Sequence, residues 1–210
     1  FLFQLASILL FSLIVSVVIY FSTFIPYMLT GHSLHDVYML QWRMLRYHSM
    51  LKETHPFSSP WWSWPVDQRP LWLTVDKLQG VLVSTVVAMG NPLIWWMGTV
   101  FTASAAERAI KNRDETCIFI TVIFLFQWLP YALISRCLFI YHFYINVPIL
   151  ILATTYFLNE AWTDRSRRKL VTAYLIATAV TFTLFYPVIS GQPILGRYRL
   201  LLRWLPSWMF

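Results

Sequence analysis

Arg136 is the residue whose type and position most directly suggest chemistry. It is the only lysine or arginine in the apolar stretch 116–158. A guanidinium stays charged and binds phosphate through two parallel hydrogen bonds, so an arginine at the edge of a membrane suits a lipid phosphate. An arginine that only extends its side chain towards the lipid head groups would give the same pattern. The sequence leaves both interpretations open.

Three histidines are further candidates. His142 follows Arg136 by six residues among aromatic neighbours, and an ionisable side chain near a membrane is a functional candidate. A buried histidine that bonds to a neighbouring helix is the alternative interpretation. His32 and His35 have a spacing that a metal site can use, but two histidines without a further ligand are a weak signal. We predict no metal ligands and no cofactor, and the sequence contains no complete catalytic constellation.

The segment 55–65 is His-Pro-Phe-Ser-Ser-Pro-Trp-Trp-Ser-Trp-Pro. Its prolines forbid a regular helix and cannot donate the hydrogen bonds of a central strand. Each indole N–H needs a partner or water, and tryptophan is enriched where a membrane meets water. The pattern predicts a rigid, non-helical segment at the membrane surface. It is either a structural interfacial loop or one wall of a site.

The composition indicates a membrane scaffold for these candidates. Of 210 residues, 58% are hydrophobic and 12% are charged, against about 25% charged in soluble domains. Several uncharged runs reach the ~20 residues that cross a bilayer. The formal net charge is +7, but the basic residues are spread over short loops, which argues against nucleic acid and indicates contact with anionic lipid head groups.

The sequence predicts an all-α integral membrane protein with about five transmembrane helices, folded as a single module over residues 1–210. The predicted spans are 1–25, 92–109, 116–135, 138–158 and 170–188. The loops 107–115 and 159–169 hold three and four Lys/Arg, so the positive-inside rule places them in the cytoplasm. The loop 26–91 and the tail 189–210 then lie on the outer side.

Two helix starts are predicted in the outer loop. Ser33 and Asp36 have the spacing of a capping box and precede an apolar stripe with helical periodicity. They predict an amphipathic helix that lies on the membrane or packs against the protein, and both interpretations remain open. Asn91 precedes a proline, and this pair predicts the start of a second helix.

A small β-hairpin is predicted between these helices. Residues 71–75 and 81–87 are rich in β-branched and aromatic side chains, and a polar turn separates them. A helix over 78–89 is the weaker alternative.

Four motifs, in a fixed order, resemble the C-terminal four-span region of protein O-mannosyltransferases. They are the segment 55–65, Arg69-Pro-Leu-Trp72, Gly90-Asn-Pro-Leu-Ile-Trp-Trp96 and Arg136-Cys-Leu-Phe-Ile-Tyr-His-Phe-Tyr144. The resemblance covers nearly the whole chain, and four ordered motifs are more specific than any one of them.

The resemblance implies part of a glycosyltransferase type C fold, with transfer of mannose from a polyprenyl (dolichyl) phosphate to Ser/Thr hydroxyls of an acceptor protein. The family's acidic catalytic motif lies in an N-terminal half. The chain begins Phe1-Leu2-Phe3 inside an apolar run, so we expect a fragment that needs that half, holds no catalytic residue and is inactive alone. The outer loop is too short for the soluble domain of eukaryotic members, which predicts a prokaryotic plasma membrane.

With the resemblance in hand, we hypothesise seven substrate-binding residues. They are Arg136 at the donor phosphate, with Arg69 as a second candidate, His55, Ser58 and Trp61 lining the pocket, His142 orienting a neighbour, and Asn91. The alternative function is a non-catalytic module for lipid binding or assembly. A transporter fits less well, because the sequence has no inverted repeat.

Overall fold

The computed structural model describes residues 2–78 and 80–210, in two compact units, Phe1–Leu51 and Lys52–Phe210. The first unit contains the helices α1 (Leu2–Ser22), α2 (Ile25–Leu29) and α3 (Leu34–Met50). The Tyr20 hydroxyl donates to Oε1 of Gln41 at 2.5 Å, which joins α1 to α3. The prediction that 1–210 acts as one module stays a prediction.

Helix α3 begins where its capping box predicts. The Asp36 amide donates to Ser33 Oγ at 3.2 Å, and the Ser33 amide donates to Asp36 Oδ2 at 2.8 Å. These bonds satisfy two amides that the first turn leaves unpaired. Val37 is the buried residue of α3, whereas its large aromatic side chains Tyr38 and Trp42 are exposed.

The second unit is built around longer helices and short 3₁₀ helices. The α-helices are α4 (Pro92–Asn112), α5 (Glu115–Trp128), α6 (Val147–Thr163), α7 (Arg168–Ser190) and α8 (Gly196–Leu201). The 3₁₀ helices are Trp61–Val66, Leu129–Leu133 and Ile140–Asn146. Helix α4 packs against α5, α6 and α7. A Cβ added at Gly98 of α4 would lie 2.7 Å from the Cβ of Leu150, so glycine permits the close approach of α6.

Among the described residues, four helical segments are long and apolar enough to cross a membrane. They are Leu10–Leu29, Glu115–Leu133, Ile140–Thr163 and Arg168–Ser190. The predicted span 92–109 forms α4, whose 21 residues extend about 31 Å. Helix α4 is less apolar than the other four, since Glu107 and Arg108 lie in its last turns. The predicted class of a mostly helical membrane protein is confirmed.

The backbone between α5 and α6 departs from the predicted helices. Helix α5 ends at Trp128, one residue before a 3₁₀ helix that contains Pro130, and residues 134–139 are not helical. Proline cannot donate the i→i−4 hydrogen bond, which explains the early end of the α-helix. The predicted turn at Arg136 lies in this stretch. His142, predicted on an α-helix, lies instead on the 3₁₀ helix Ile140–Asn146.

The predicted hairpin is present. Strands β1 (Leu71–Lys77) and β2 (Leu82–Ala88) pair antiparallel, with an irregularity between Trp72 and Thr74. The tail adds a third strand that sequence analysis missed, β3 (Ile194–Leu195), which pairs with β2. Two residues are too short to give a periodic signal in sequence.

The proline- and tryptophan-rich segment is held by side chains from other elements. Carbonyl oxygens of 61–67 accept four indole N–H groups and one hydroxyl. The pairs are Trp128 to Trp61 (2.9 Å), Trp95 to Trp64 (2.5 Å), Thr99 to Pro65 (2.6 Å), Trp96 to Val66 (2.8 Å) and Trp208 to Asp67 (2.7 Å). These bonds satisfy carbonyls that a continuing helix would otherwise pair. Residues 55–60 are non-helical, as predicted, whereas the rest of the segment lies in the 3₁₀ helix Trp61–Val66, in which Ser63, Trp64 and Pro65 are buried.

Candidate functional site

The site candidates gather where the segment 55–61 meets the non-helical stretch 134–139. The Ser59 amide donates to the Leu138 carbonyl at 2.9 Å. The rings of His55 and Phe139 meet edge to face, 5.1 Å between centroids. Two segments about 80 positions apart in sequence therefore form one continuous surface in the second unit.

The buried Trp64 side chain supports this surface from the protein interior. Its side chain is fully buried, and its Nε1 donates to Ser59 Oγ at 2.9 Å. Ser59 is itself 4% exposed, so this bond fixes the chain just after the candidates His55 and Ser58. For Trp64 the structure favours the structural interpretation of the tryptophan segment, whereas the neighbouring Trp62 is exposed.

His55 is exposed, and one of its ring nitrogens is already engaged. The Phe57 amide donates to Nδ1 of His55 at 3.2 Å. A neutral imidazole that accepts at Nδ1 carries its proton on Nε2. The free Nε2–H can donate to an oxygen atom of a substrate.

Arg136 is half-buried in the stretch 134–139. Within the described residues, no hydrogen bond or salt bridge engages its guanidinium. His142 is close enough that the two side chains interact electrostatically. The five N–H donors of Arg136 are thus available to an anion.

His142 is packed between aromatic rings. It stacks on Trp64 with 5.8 Å between centroids and on Tyr141 with 4.4 Å. Its Nδ1 lies 2.9 Å from the Phe139 carbonyl oxygen and 3.3 Å from the Phe139 amide. These contacts tie the ring to the start of its own 3₁₀ helix, close to Arg136 and Phe139.

The Arg69 side chain contacts the backbone of Ser58. Nη1 of Arg69 donates to the carbonyls of Pro56 and Ser58 at 3.4 and 3.3 Å. The Ser58 amide donates to the His55 carbonyl at 2.9 Å, which closes a tight turn. Arg69 therefore holds the loop that carries His55 and Ser58, and its other N–H groups have no partner among the described residues.

Trp61 and Asn91 complete the predicted set. The Trp61 ring meets Trp128 at 5.1 Å, at the edge of the candidate surface. Asn91 lies at the start of α4, where its Oδ1 accepts the Leu93 amide at 3.0 Å and its Nδ2 donates to the Thr178 carbonyl at 3.0 Å. The substrate role predicted for Asn91 stays a prediction, but both ends of its amide already bond to backbone.

Asp67 is a buried carboxyl group whose importance the sequence did not reveal. It is fully buried, and its Oδ2 accepts the Gly90 amide at 3.2 Å. Burial raises the pKa of Asp67 to about 8, against the opposing effect of the Gly90 hydrogen bond. Its Oδ1 has no hydrogen-bond partner in the described part of the chain. No local pattern distinguishes this aspartate from an exposed loop residue.

In residues 2–78 and 80–210, no three His, Cys, Asp or Glu side chains are placed to hold a metal ion. The His32 ring stacks on Tyr27 with 3.8 Å between centroids, which gives that histidine a packing role within the first unit.

The sequence of this chain matches a known family. Residues 33–208 match the family described as the C-terminal four TMM region of protein-O-mannosyltransferase. The chain belongs to this family. The match includes all seven predicted site residues, although it assigns no role to any one of them.

Relatives of this O-mannosyltransferase region occur in bacteria and fungi. A polyprenol-phosphate-mannose–protein mannosyltransferase of Mycobacterium tuberculosis is 29% identical over 170 residues, covering 73% of this chain and 32% of the relative. Its namesake from Mycolicibacterium smegmatis is 28% identical, covering 78% and 35%. Dolichyl-phosphate-mannose–protein mannosyltransferase 4 of Schizosaccharomyces pombe is 29% identical, covering 50% and 15%. The chain thus spans about a third of the bacterial relatives.

A solved structure has the same fold. The S. cerevisiae protein O-mannosyltransferase Pmt1-Pmt2 complex, bound to the sugar donor, matches 85% of this chain and 27% of the yeast chain. The TM-score is 0.70 at 22% sequence identity. This likeness shows that the chain shares the fold of that membrane protein over the part that it covers.

Proposed function

We propose that this chain is part of an enzyme that moves mannose from a polyprenyl-phosphate donor to Ser or Thr hydroxyls of proteins. The observation that carries the proposal is the family match over 33–208. The relatives are named for this activity, but the chain spans about a third of their length. The catalytic base therefore comes from another part of the enzyme, and residues 1–210 alone are inactive.

The transfer requires stabilisation of a leaving phosphate. The acceptor hydroxyl attacks the anomeric carbon of mannose, its proton passes to the base, and the bond from that carbon to the phosphate oxygen breaks. Negative charge then grows on the lipid phosphate. Arg136 meets this charge with an unengaged guanidinium at the edge of the helical bundle. The Nε2–H of His55 supplies a second donor on the same surface.

The remaining candidates hold or line the phosphate-binding surface that Arg136 and His55 form. Arg69 fixes the loop 55–58 and keeps N–H groups free for the phosphate. Ser58 and Trp61 line the pocket, and His142 orients the backbone beside Arg136. Asn91 contributes to substrate binding by fixing the start of α4.

We propose that the protein spans the plasma membrane of a prokaryote and that the candidate surface lies on its outer side. The loops 107–115 and 159–169 lie at one end of the helices, because Arg108 pairs with Glu160 at 2.7 Å and the Tyr156 hydroxyl donates to Asp114 at 2.6 Å. Their excess of basic residues favours the cytoplasmic side for that end. The candidate surface is then outside, where the acceptor protein is delivered.

The test is Arg136→Ala in the full-length enzyme. Mannosyl transfer would be measured in membranes with a polyprenyl-phosphate-mannose donor and a Ser/Thr-rich peptide. Loss of one charged contact to the transition state predicts a fall in kcat of about 100-fold, with expression and thermal stability retained. Arg197→Ala is the matched control, since Arg197 is exposed and belongs to α8, outside the segments 55–61 and 134–139.

Unchanged transfer by Arg136→Ala would refute the role of this arginine. Absence of transfer by the intact enzyme would favour the alternative, a non-catalytic module for lipid binding or assembly.

A further inference from the structure

A cavity lies between α4, α6 and α7, at the end of the bundle that carries the two basic loops. Its volume is about 370 Å³, within the range of ligand sites. Most of the lining is apolar. The apolar and aromatic side chains are Met97, Phe101, Phe157, Leu158, Ala161, Leu170 and Val171. The hydroxyl of Tyr174, also in the lining, donates to the Leu93 carbonyl at 3.4 Å.

Charged side chains stand at the mouth of this cavity. Arg108 is fixed there: Nη1 and Nη2 donate to Glu160 at 2.7 and 3.4 Å, and the guanidinium lies 4.9 Å from the Phe157 ring centre. Because Arg108 balances the charge of Glu160, this carboxylate adds no net negative charge to the mouth of the cavity.

Among the charged side chains that line the cavity, Arg167 is the one whose positive charge Glu160 does not balance. It pairs with Asp164 at 3.2 Å, but both side chains are largely exposed, and an exposed pair of this kind is weak. Asp164 has other donors, since the Ser166 amide and hydroxyl bond to it at 2.9 and 2.7 Å. Arg167 can therefore turn to an added anion without leaving Asp164 unpaired.

We propose that this cavity binds one anionic phospholipid, with an acyl chain among the apolar side chains and the phosphate on Arg167. A polar ligand would find few partners in the interior, and a zwitterionic lipid would leave the positive mouth less well matched. Basic pockets between membrane helices are suited to anionic lipid head groups. The site is at the opposite end from Arg136, so the inference does not depend on the proposed mannosyl transfer.

Lipid binding to the full-length protein tests this inference. The purified protein would be titrated with phosphatidylglycerol and, separately, with phosphatidylcholine, and bound lipid would be counted by native mass spectrometry. We expect one phosphatidylglycerol to bind about tenfold more tightly than phosphatidylcholine, because both carry the same phosphodiester but choline adds a positive charge that Arg167 repels. Arg167→Gln should remove this preference, and Ala161→Leu should block the site by filling it.

Arg165→Gln is the matched control, because it removes the same charge from the same loop outside the cavity lining. The inference is overturned if Arg165→Gln weakens binding as much as Arg167→Gln does. It is also overturned if the two lipids bind equally, or if neither binds. Binding that survives in folded Ala161→Leu would place the lipid elsewhere. Unfolding temperatures in detergent establish that each variant is folded, and Ala161→Val replaces Ala161→Leu if the larger side chain disrupts the helix.

Discussion

Asp67 shows how one buried carboxyl can make stability depend on pH. Its folded-state pKa is about 8, because the site withholds water from the charged form. An unfolded aspartate has a pKa of about 3.9. Between these values the folded chain binds the additional proton. Its contribution to stability is complete below about pH 4 and is lost as the pH rises towards 8.

We therefore expect the free energy of unfolding to decrease as the pH rises from 4 to 8, by at most about 1.4 kcal/mol per pH unit. Asp67→Asn, which keeps an oxygen for the Gly90 amide but cannot ionise, should lack this pH dependence. The variant should match the wild type near pH 4 and be more stable than it at pH 8. Thermal unfolding in detergent across this range measures both.

Asp76→Asn provides the comparison, since Asp76 is an exposed residue of β1. Parallel pH profiles of the wild type and Asp67→Asn would contradict the assignment of this pH dependence to Asp67.

At the scale of elements, α4 depends on Asn91 for its start and for its position beside α7. The asparagine side chain accepts the Leu93 amide and donates to the Thr178 carbonyl of α7. A single side chain thus caps one helix and joins it to another.

Asn91→Ala should cost about 1 kcal/mol for the lost cap, and more for the lost bond to α7. Asn91→Ser should retain the cap but be too short to reach Thr178, so its loss should be smaller. Unfolding measurements on both variants test this order. A fall in mannosyl transfer by Asn91→Ala with unchanged stability would instead favour the predicted substrate role.

Local sequence signals predicted the elements that depend on local chemistry. The cap of α3 at Ser33, the start of α4 at Asn91 and the hairpin lie where residue types and spacing placed them. The conformation of 134–146 was not predictable in this way. It depends on contacts such as that of Ser59 with Leu138, which join residues distant in sequence.

At the scale of the whole molecule, the tail closes the core of the second unit. Trp208 is fully buried, and Phe210 is 1% exposed. The Trp208 indole packs on Phe185 of α7, 5.7 Å between centroids, and donates to the Asp67 carbonyl. The tail thereby joins α7 to the 3₁₀ helix that supports the candidate site.

Trp208→Ala should destabilise the protein by about 3–5 kcal/mol, because it leaves a cavity and removes the donor to Asp67. Denaturant unfolding of the purified protein would measure the loss. Trp62→Ala removes a tryptophan of the same size that is exposed, and it should cost far less. Equal losses in the two variants would contradict the proposed role of the tail.

The candidate site was predicted as a set of residues but not as an arrangement. The motifs indicated Arg136, His55 and Arg69, whereas the turn that Arg69 stabilises and the contact of His55 with Phe139 arise only on folding. No pattern in the sequence indicated the cavity between α4, α6 and α7, which three helices form together.

The four indole hydrogen bonds to the segment 61–67 limit which mutations can preserve it. Tryptophan has one codon in the standard genetic code, so any single-nucleotide change at Trp95, Trp96, Trp128 or Trp208 replaces the side chain or ends the chain. Each replacement would leave a carbonyl of the segment 61–67 without its indole donor. A site resting on this helix has few mutational routes by which its support can be altered gradually.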